Sequence, residues 1–201
     1  LRTIVANSKD EKEIRDAVHF ANDQFGSLDI VLANAGTEGV VKPLTEFTVE
    51  EFNEFLSVNV VGIWLYMKHS IPLMQKQRSG SFIAVSSGGG VVGFNGQLPY
   101  IASKHAVIGL MRAGAMEGAK DKIRVNTVNP SPIETQMIYR LEDTINPNRG
   151  NTQPMADATP LRRYGQPEEV ARLMLFLGSE DGAFCTGGVY MCDGGVSAGR
   201  N

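Results

Sequence analysis

Residues 86–104 of the chain read SSGGGVVGFNGQLPYIASK. The stretch places Ser87 at the end of an apolar run and Tyr100 four residues before Lys104. Pro99 favours the start of a helix, because its fixed φ suits the first helical turn. Residues four apart on a helix share a face, so the Lys104 ammonium is expected beside the Tyr100 ring.

This pairing of a phenol with a cation predicts acid–base chemistry. A free tyrosine has a pKa of about 10 and exchanges protons poorly near neutrality. A nearby cation favours the phenolate, so Lys104 is expected to lower the pKa of Tyr100 and make it a general acid or base for an alcohol or carbonyl. The Ser87 hydroxyl could hydrogen-bond the same substrate oxygen. A tyrosine and a lysine at this spacing also occur on ordinary helix surfaces, so the pair alone leaves a structural interpretation open.

The bulk properties of the chain set limits on its class. It has 201 residues, of which 42% are apolar and 20% charged, enough for one domain with a sizeable core. A net charge of -3 gives no reason to expect nucleic acid or a membrane surface as partner. No apolar run approaches the roughly 20 residues that span a bilayer. Cys185 and Cys192 form neither a Cys-x-x-Cys pair nor a metal cluster, which is typical of a cytoplasmic protein without a metal.

Apolar runs alternate with helical patterns along the chain. The candidate strands are 1–6, 28–33, 81–87, 123–129 and 187–195. Continuous apolar runs indicate a parallel sheet buried on both faces, so we predict one α/β domain, residues 1–201, with a doubly wound, Rossmann-like parallel sheet. Ligands bind at the carboxyl ends of such strands. Asn34, Ser87 and Pro130 follow the ends of three successive strands and are expected to converge there.

The segment 131–160 is rich in proline, asparagine and threonine, and is long for a plain connection. We predict that it is irregular and forms a substrate lid. Its apolar side chains could line a pocket or equally pack on the core; they are Met137, Ile138, Tyr139, Leu141 and Met155.

Ordered motifs along essentially the whole chain resemble those of the short-chain dehydrogenase/reductase family. They are Asn34-Ala35-Gly36, Asn59-Val60-Val61-Gly62, Ser87 thirteen residues before Tyr100, Tyr100-Ile101-Ala102-Ser103-Lys104, the turn Asn129–Thr135 and Asp193-Gly194-Gly195. The general likeness is to 3-oxoacyl-carrier-protein reductases and small-ketone or sugar-alcohol dehydrogenases. The resemblance implies a Rossmann-like fold.

The resemblance also implies an activity, which is hydride transfer between NAD or NADP and a secondary alcohol or ketone. Tyr100 would pass the proton, Lys104 would tune Tyr100 and bond the nicotinamide ribose, and Ser87 would orient the substrate oxygen. Asn59 would hold a water that relays protons from Lys104 to solvent. The alternative for Asn59 is a polar residue that bends the helix and is satisfied by backbone groups.

A set of cofactor contacts is carried over from the same resemblance. It comprises Asn7, Asn34, Ala35, Gly36, Tyr100, Lys104, Pro130, Ile133 and Thr135. Asn7 occupies the position where the family usually has an acidic residue near the adenine, and Asn34 could instead have a purely structural role. Family members are commonly homo-oligomers, so a tetramer or dimer built through the Tyr100 helix is expected.

The chain departs from the family pattern in two places. Ser131 replaces the usual glycine after Pro130. The family's opening strand, glycine-rich phosphate loop, helix and second strand have no counterpart, because residues 1–6 resemble the third strand. We therefore expect that the working protein has further residues in front, and that the strand at 1–6 lacks a neighbour. The alternatives to an enzyme are a non-catalytic scaffold with this fold and a cofactor-deficient fragment.

Overall fold

A computed structural model describes residues 1–148, 150 and 152–199. The strands are β1 (Ile30–Ala33), β2 (Gly80–Val85), β3 (Ile123–Pro130) and β4 (Val189–Cys192). The helices are α1 (Glu11–Phe25), α2 (Val49–Leu56), α3 (Gly62–Gln77), α4 (Leu98–Gly118), α5 (Gln136–Ile145), α6 (Pro154–Ala158) and α7 (Pro167–Gly178).

The four strands form one parallel sheet in the order β1-β2-β3-β4. Ala33 pairs with Ala84, Val85 with Val128, and Pro130 with Cys192, so all four carboxyl ends lie at one edge. The continuous apolar runs account for a parallel sheet that is buried on both faces, and the predicted α/β, doubly wound fold is confirmed.

Helices cover both faces of the sheet. On one face α1, α3 and α4 pack against alternate strand residues, including Phe82 and Val125, which are fully buried. On the other face α7 contributes Val170 and Leu177 to a second cluster. Residues that follow one another in a strand therefore enter different cores, which explains why the strands carry no polar alternation. Within the described part of the chain, no helix is both long and apolar enough to cross a membrane.

The predicted strand at residues 1–6 is wrong. These residues have no regular structure, and Leu1 and Val5 are almost fully exposed. A strand needs a partner for its backbone groups, and in the described residues β1 pairs only with β2. Ile30 and Leu32, which share one face of β1, are about half exposed. The expected front segment stays a prediction.

A single turn of π-helix, Ser57–Val61, joins α2 to α3. Such turns carry one extra residue and often occur at functional sites. Here the turn directs Asn59 into the interior, where it is fully buried. The next residue, Gly62, packs closely against the backbone of Ser8. A Cβ at position 62 would lie only 2.8 Å from the Ser8 carbonyl oxygen.

The segment 131–160 is less irregular than predicted. It contains α5 and α6, which pack together through Ile138 and Ala156 against Tyr164. The buried Glu142 carboxylate accepts a hydrogen bond of 2.9 Å from the Met155 amide and so joins the two helices. The amphipathic pattern of α5 is too short, among so many polar residues, to stand out in the sequence.

Candidate active site

Tyr100 and Lys104 lie one turn apart in α4, with the Lys104 amine 5.7 Å from the centre of the Tyr100 ring. The helix starts at Leu98 with Pro99 in its first turn, as the sequence indicates. Lys104 is 5% exposed, and its Nζ donates a hydrogen bond of 3.1 Å to the Val85 carbonyl at the end of β2. This bond holds the amine between the helix and the sheet, beside the phenol ring.

The ionisation of the pair differs from the sequence prediction. Burial raises the pKa of the Tyr100 phenol, the Ser87 hydroxyl lowers it, and the Glu38 carboxylate raises it further. Burial also lowers the pKa of Lys104 to about 8. The expected net lowering of the Tyr100 pKa is therefore wrong for this site, because removing the phenolate from water outweighs the favourable interactions.

Ser87 follows β2 and enters a tight glycine turn. Its Oγ accepts a hydrogen bond of 3.1 Å from the Gly89 amide, and its side chain is almost buried at the cavity wall. Its backbone carbonyl accepts a hydrogen bond of 2.9 Å from the side-chain nitrogen Nδ2 of Asn129, which lies at the end of β3. Asn129 therefore fixes the position of Ser87, a role that the sequence analysis missed.

Asn59 is satisfied mainly by backbone groups. Its Oδ1 accepts from the Thr37 amide at 2.8 Å, and its Nδ2 donates to the Thr37 carbonyl at 3.0 Å and to the Ser103 hydroxyl at 3.1 Å. Ser103 in turn donates to the Tyr100 carbonyl at 2.7 Å. Asn59 thus joins the loop after β1 to α4 just behind the phenol. Its role in a water relay stays a prediction.

A cavity of about 1320 Å³ opens at the carboxyl ends of the strands. Ligand pockets for a single small molecule usually occupy roughly 300–1,000 Å³, so this cavity has room for more than one. Most of the expected site residues line it, namely Asn34, Ala35, Gly36, Ser87, Tyr100, Lys104, Pro130, Ile133 and Thr135. The predicted convergence of three strand ends is therefore present.

Asn7 does not belong to this group. Its Oδ1 accepts from the Lys9 amide at 3.0 Å, and its backbone amide donates to Glu13 at 2.7 Å. These bonds organise the start of α1, and Asn7 is not among the residues that line the cavity. The expected contact of Asn7 with an adenine has no support in the described geometry.

The site has features that fit a nicotinamide dinucleotide. An ammonium group has three N–H donors, and among the described contacts Lys104 uses one, so two remain for ribose hydroxyls. Gly36 leaves open the space in front of that amine: a Cβ there would lie 3.2 Å from Asn59 Oδ1 and 3.4 Å from Lys104 Nζ. No group of three or more His, Cys, Asp or Glu side chains among the described residues could hold a metal ion.

The apolar residues of 131–160 mostly face the cavity. Met137, Ile138, Leu141 and Met155 line it. Tyr139 instead packs edge-on against the Tyr164 ring, with centroids 6.2 Å apart. An ion pair of 2.8 Å between Glu38, in the loop after β1, and Arg140, in α5, joins the two sides of the cavity.

Further cavity residues escaped the sequence analysis, among them Glu38, Phe94 and Gln97. Phe94 lies in the loop before α4, where its apolar character gives no signal of a ligand. Gln97 stands three residues before Tyr100, and this spacing is the only signal that could have identified it.

Comparison with known proteins defines the family. A family model described as Enoyl-(Acyl carrier protein) reductase matches residues 2–197. The chain belongs to the short-chain dehydrogenase/reductase family. It is accordingly an oxidoreductase that uses NAD or NADP and transfers a hydride to or from a secondary alcohol or ketone carbon.

Curated relatives match almost the whole chain and about three quarters of their own length. Levodione reductase of Leifsonia aquatica is 34% identical over 198 residues, which are 98% of this chain and 74% of the relative. Cyclohexanol dehydrogenase of Acinetobacter sp. (strain SE19) is 33% identical and is covered to 73%, with 96% of this chain. The 3-oxoacyl-[acyl-carrier-protein] reductase FabG of Thermotoga maritima is 37% identical and is covered to 75%, also with 96% of this chain.

Solved structures give the same picture. A crystal structure of levodione reductase superposes with a TM-score of 0.96 at 33% identity, over 98% of this chain and 78% of the other. A structure of ElxO with NADP bound has a TM-score of 0.87 at 31% identity, over 96% of this chain and 77% of the other. An NAD+-bound xylitol dehydrogenase has a TM-score of 0.90 at 27% identity, over 96% of this chain and 78% of the other.

Proposed function

We propose that this short-chain dehydrogenase/reductase interconverts a compact cyclic ketone and its secondary alcohol, with Tyr100 as the proton-transferring group. The observation that carries the proposal is the placement of Tyr100 and Lys104 in a cavity of about 1320 Å³ beside an apolar wall. Met137, Leu141 and Met155 form part of that wall, and apolar surface favours the hydrocarbon ring of a substrate. A relative named for cyclohexanol supports the same substrate shape.

The proton step is assigned to three side chains. Burial raises the pKa of Tyr100, so its phenol is protonated at neutral pH and can donate to a carbonyl oxygen during ketone reduction. Ser87, held by Gly89 and Asn129, would hydrogen-bond the same oxygen. Lys104, with a pKa of about 8, is mostly an ammonium at pH 7 and stabilises the phenolate that remains.

The bound cofactor supplies the hydride. Lys104 would bond the ribose beside the nicotinamide, and Thr135 and the Ile133 backbone would contact the carboxamide and the pyrophosphate. Asn34, Ala35, Gly36 and Pro130 line the same cavity and would pack against the dinucleotide. The segment 131–160, which covers the apolar side, would act as the substrate lid.

Turnover of a ketone panel tests this function. We expect cyclohexanone and substituted cyclohexanones to be reduced with NADH or NADPH, with kcat/KM at least about tenfold higher than for acetone, because the ring buries more apolar area. Oxidation or reduction of the nicotinamide, followed by absorbance, measures the rate with each cofactor in turn. Equal rates for acetone and the cyclic ketones would contradict a cyclic substrate. Absence of turnover with either cofactor would contradict the whole proposal.

We also propose that the protein is a homo-oligomer, a tetramer or dimer. Trp64 on α3 and Met116 on α4 are 44% and 82% exposed, so each of these two helices offers a large apolar side chain to a second copy of the chain. Light scattering of the purified chain should therefore give a mass that is a multiple of 21.8 kDa. A monomer mass at micromolar concentration would contradict it.

We further propose that the protein works in the cytoplasm. Cys185 and Cys192 are both free thiols, which is typical of a reducing compartment. Recovery of the protein from a secreted or periplasmic fraction would contradict this location.

A further inference from the structure

Gln97 is a nearly buried polar residue whose side chain has no hydrogen-bond partner among the described contacts. It is 6% exposed and precedes the first residue of α4. The Gln97 side chain makes no capping bond to the first turn of the helix. Only its backbone is engaged, because its carbonyl accepts the Ile101 amide at 2.9 Å.

Gln97 lies at the wall of the substrate cavity, and its side-chain amide is not fully enclosed. Gln97 lines that cavity together with Phe94 and Tyr100. In the described contacts neither its Oε1 nor its Nε2 has a hydrogen-bond partner, and neither is among the fully enclosed atoms that lack one. Both atoms therefore keep a small exposed surface, next to a cavity that Gln97 lines. A nearly buried amide without partners costs free energy, which a ligand with matching groups would recover.

Gln97 directly precedes α4 and stands three residues before Tyr100, so both residues lie near the start of this helix. Residues three apart lie on one face of a helix, roughly 5–6 Å apart at their Cβ atoms. Because both residues line the cavity, a substrate whose reacting oxygen meets Tyr100 would have Gln97 within reach of its body. The other walls near this point are apolar, with Met137, Leu141 and Met155 among the lining residues.

We propose that Gln97 is a specificity-determining residue that binds a second, neutral oxygen of the cyclic substrate. The assignment rests on the proposed function, and it defines the substrate as a hydroxyketone or diketone rather than a simple ketone. The amide nitrogen donates to a carbonyl oxygen, and the amide oxygen accepts from a hydroxyl, so both oxidation states of that group are recognised. A side-chain amide carries no charge that could balance a carboxylate substituent, so the second oxygen that it binds is a neutral one.

The test compares cyclohexanone with 4-hydroxycyclohexanone and cyclohexane-1,4-dione as substrates of the wild-type chain and of Gln97→Leu. We expect the wild type to prefer the two oxygen-bearing ketones by about tenfold or more in kcat/KM, since a buried amide is left unpaired by cyclohexanone. In Gln97→Leu this preference should disappear, mostly through a higher KM for the oxygen-bearing ketones. Gln24→Leu makes the same chemical change on the exposed face of α1 and should keep the preference.

Gln97→Met, which keeps the length of the side chain, provides a second variant if leucine does not fold. Equal kcat/KM for all three ketones in the wild type would overturn the assignment while leaving the proposed function in place. An unchanged preference in the Gln97 variants would overturn it as well, because the discrimination would then come from other residues. Absence of turnover with every ketone would overturn the proposed function and this assignment with it.

Discussion

Replacement of Tyr100 by phenylalanine is expected to lower kcat by about 10²- to 10⁴-fold, the usual contribution of one general acid. The substitution removes a single oxygen and keeps the ring that packs beside Lys104. The affinity for NAD or NADP should change by less than about threefold, because the ring and the amine remain in place. Stopped-flow measurement of ketone reduction, together with titration of cofactor fluorescence, separates the two effects.

A matched control distinguishes chemistry from folding in this experiment. Tyr66 is half-buried on α3 and does not line the cavity, so Tyr66→Phe removes the same oxygen elsewhere. The control should keep the wild-type kcat. The free energy of unfolding of both variants should lie within about 1 kcal/mol of the wild-type value, since a hydroxyl contributes little net stability. If Tyr100→Phe kept more than a tenth of the wild-type kcat, another group would have to supply the proton.

The parallel sheet could be predicted because the pattern that marks each strand lies within a few consecutive residues. Strands covered on both faces must be apolar at consecutive positions, and the segments that became β2 and β3 show this directly. The order of the strand ends then brings Asn34, Ser87 and Pro130 to one edge without knowledge of any side-chain contact. The segment 1–6 has a similar composition but forms no strand, because pairing depends on a neighbour that composition does not report.

The ionisation of the site could not be predicted in the same way. The spacing of Tyr100 and Lys104 fixes their proximity, but the pKa values depend on burial, which arises from helices distant in sequence. Burial raises the pKa of Tyr100 and lowers that of Lys104 to about 8. Gln97 was missed for a related reason, since only the packed structure shows that its amide lacks a partner.

Replacement of Lys104 by methionine is expected to lower kcat/KM for the cofactor on the order of 10²- to 10³-fold, as for the loss of one charged donor at a reacting centre. The variant removes the donors left for ribose hydroxyls and the charge that supports the Tyr100 phenolate. It also removes the hydrogen bond to the Val85 carbonyl, but the burial that lowers the Lys104 pKa means that the buried charge itself costs folding free energy, so the variant should be no less stable than the wild type. Lys76→Met, an exposed change on α3, should alter neither quantity. Wild-type kinetics in Lys104→Met would remove the amine from the mechanism.

The pH dependence of the same constant gives an independent measure of Lys104. Its pKa is lowered to about 8 by burial, so the amine is charged below pH 8 and loses its proton as the pH rises above that value. A neutral amine bonds hydroxyls more weakly than an ammonium does. The kcat/KM for the cofactor, which reports ionisations of the free protein, should therefore be level below about pH 7.5 and fall up to about tenfold per unit above pH 8. Lys104→Arg keeps its charge throughout this range, so its profile should stay level even though the larger guanidinium lowers the rate at every pH. A decline near pH 8 that persisted in Lys104→Arg would assign that ionisation to a different group.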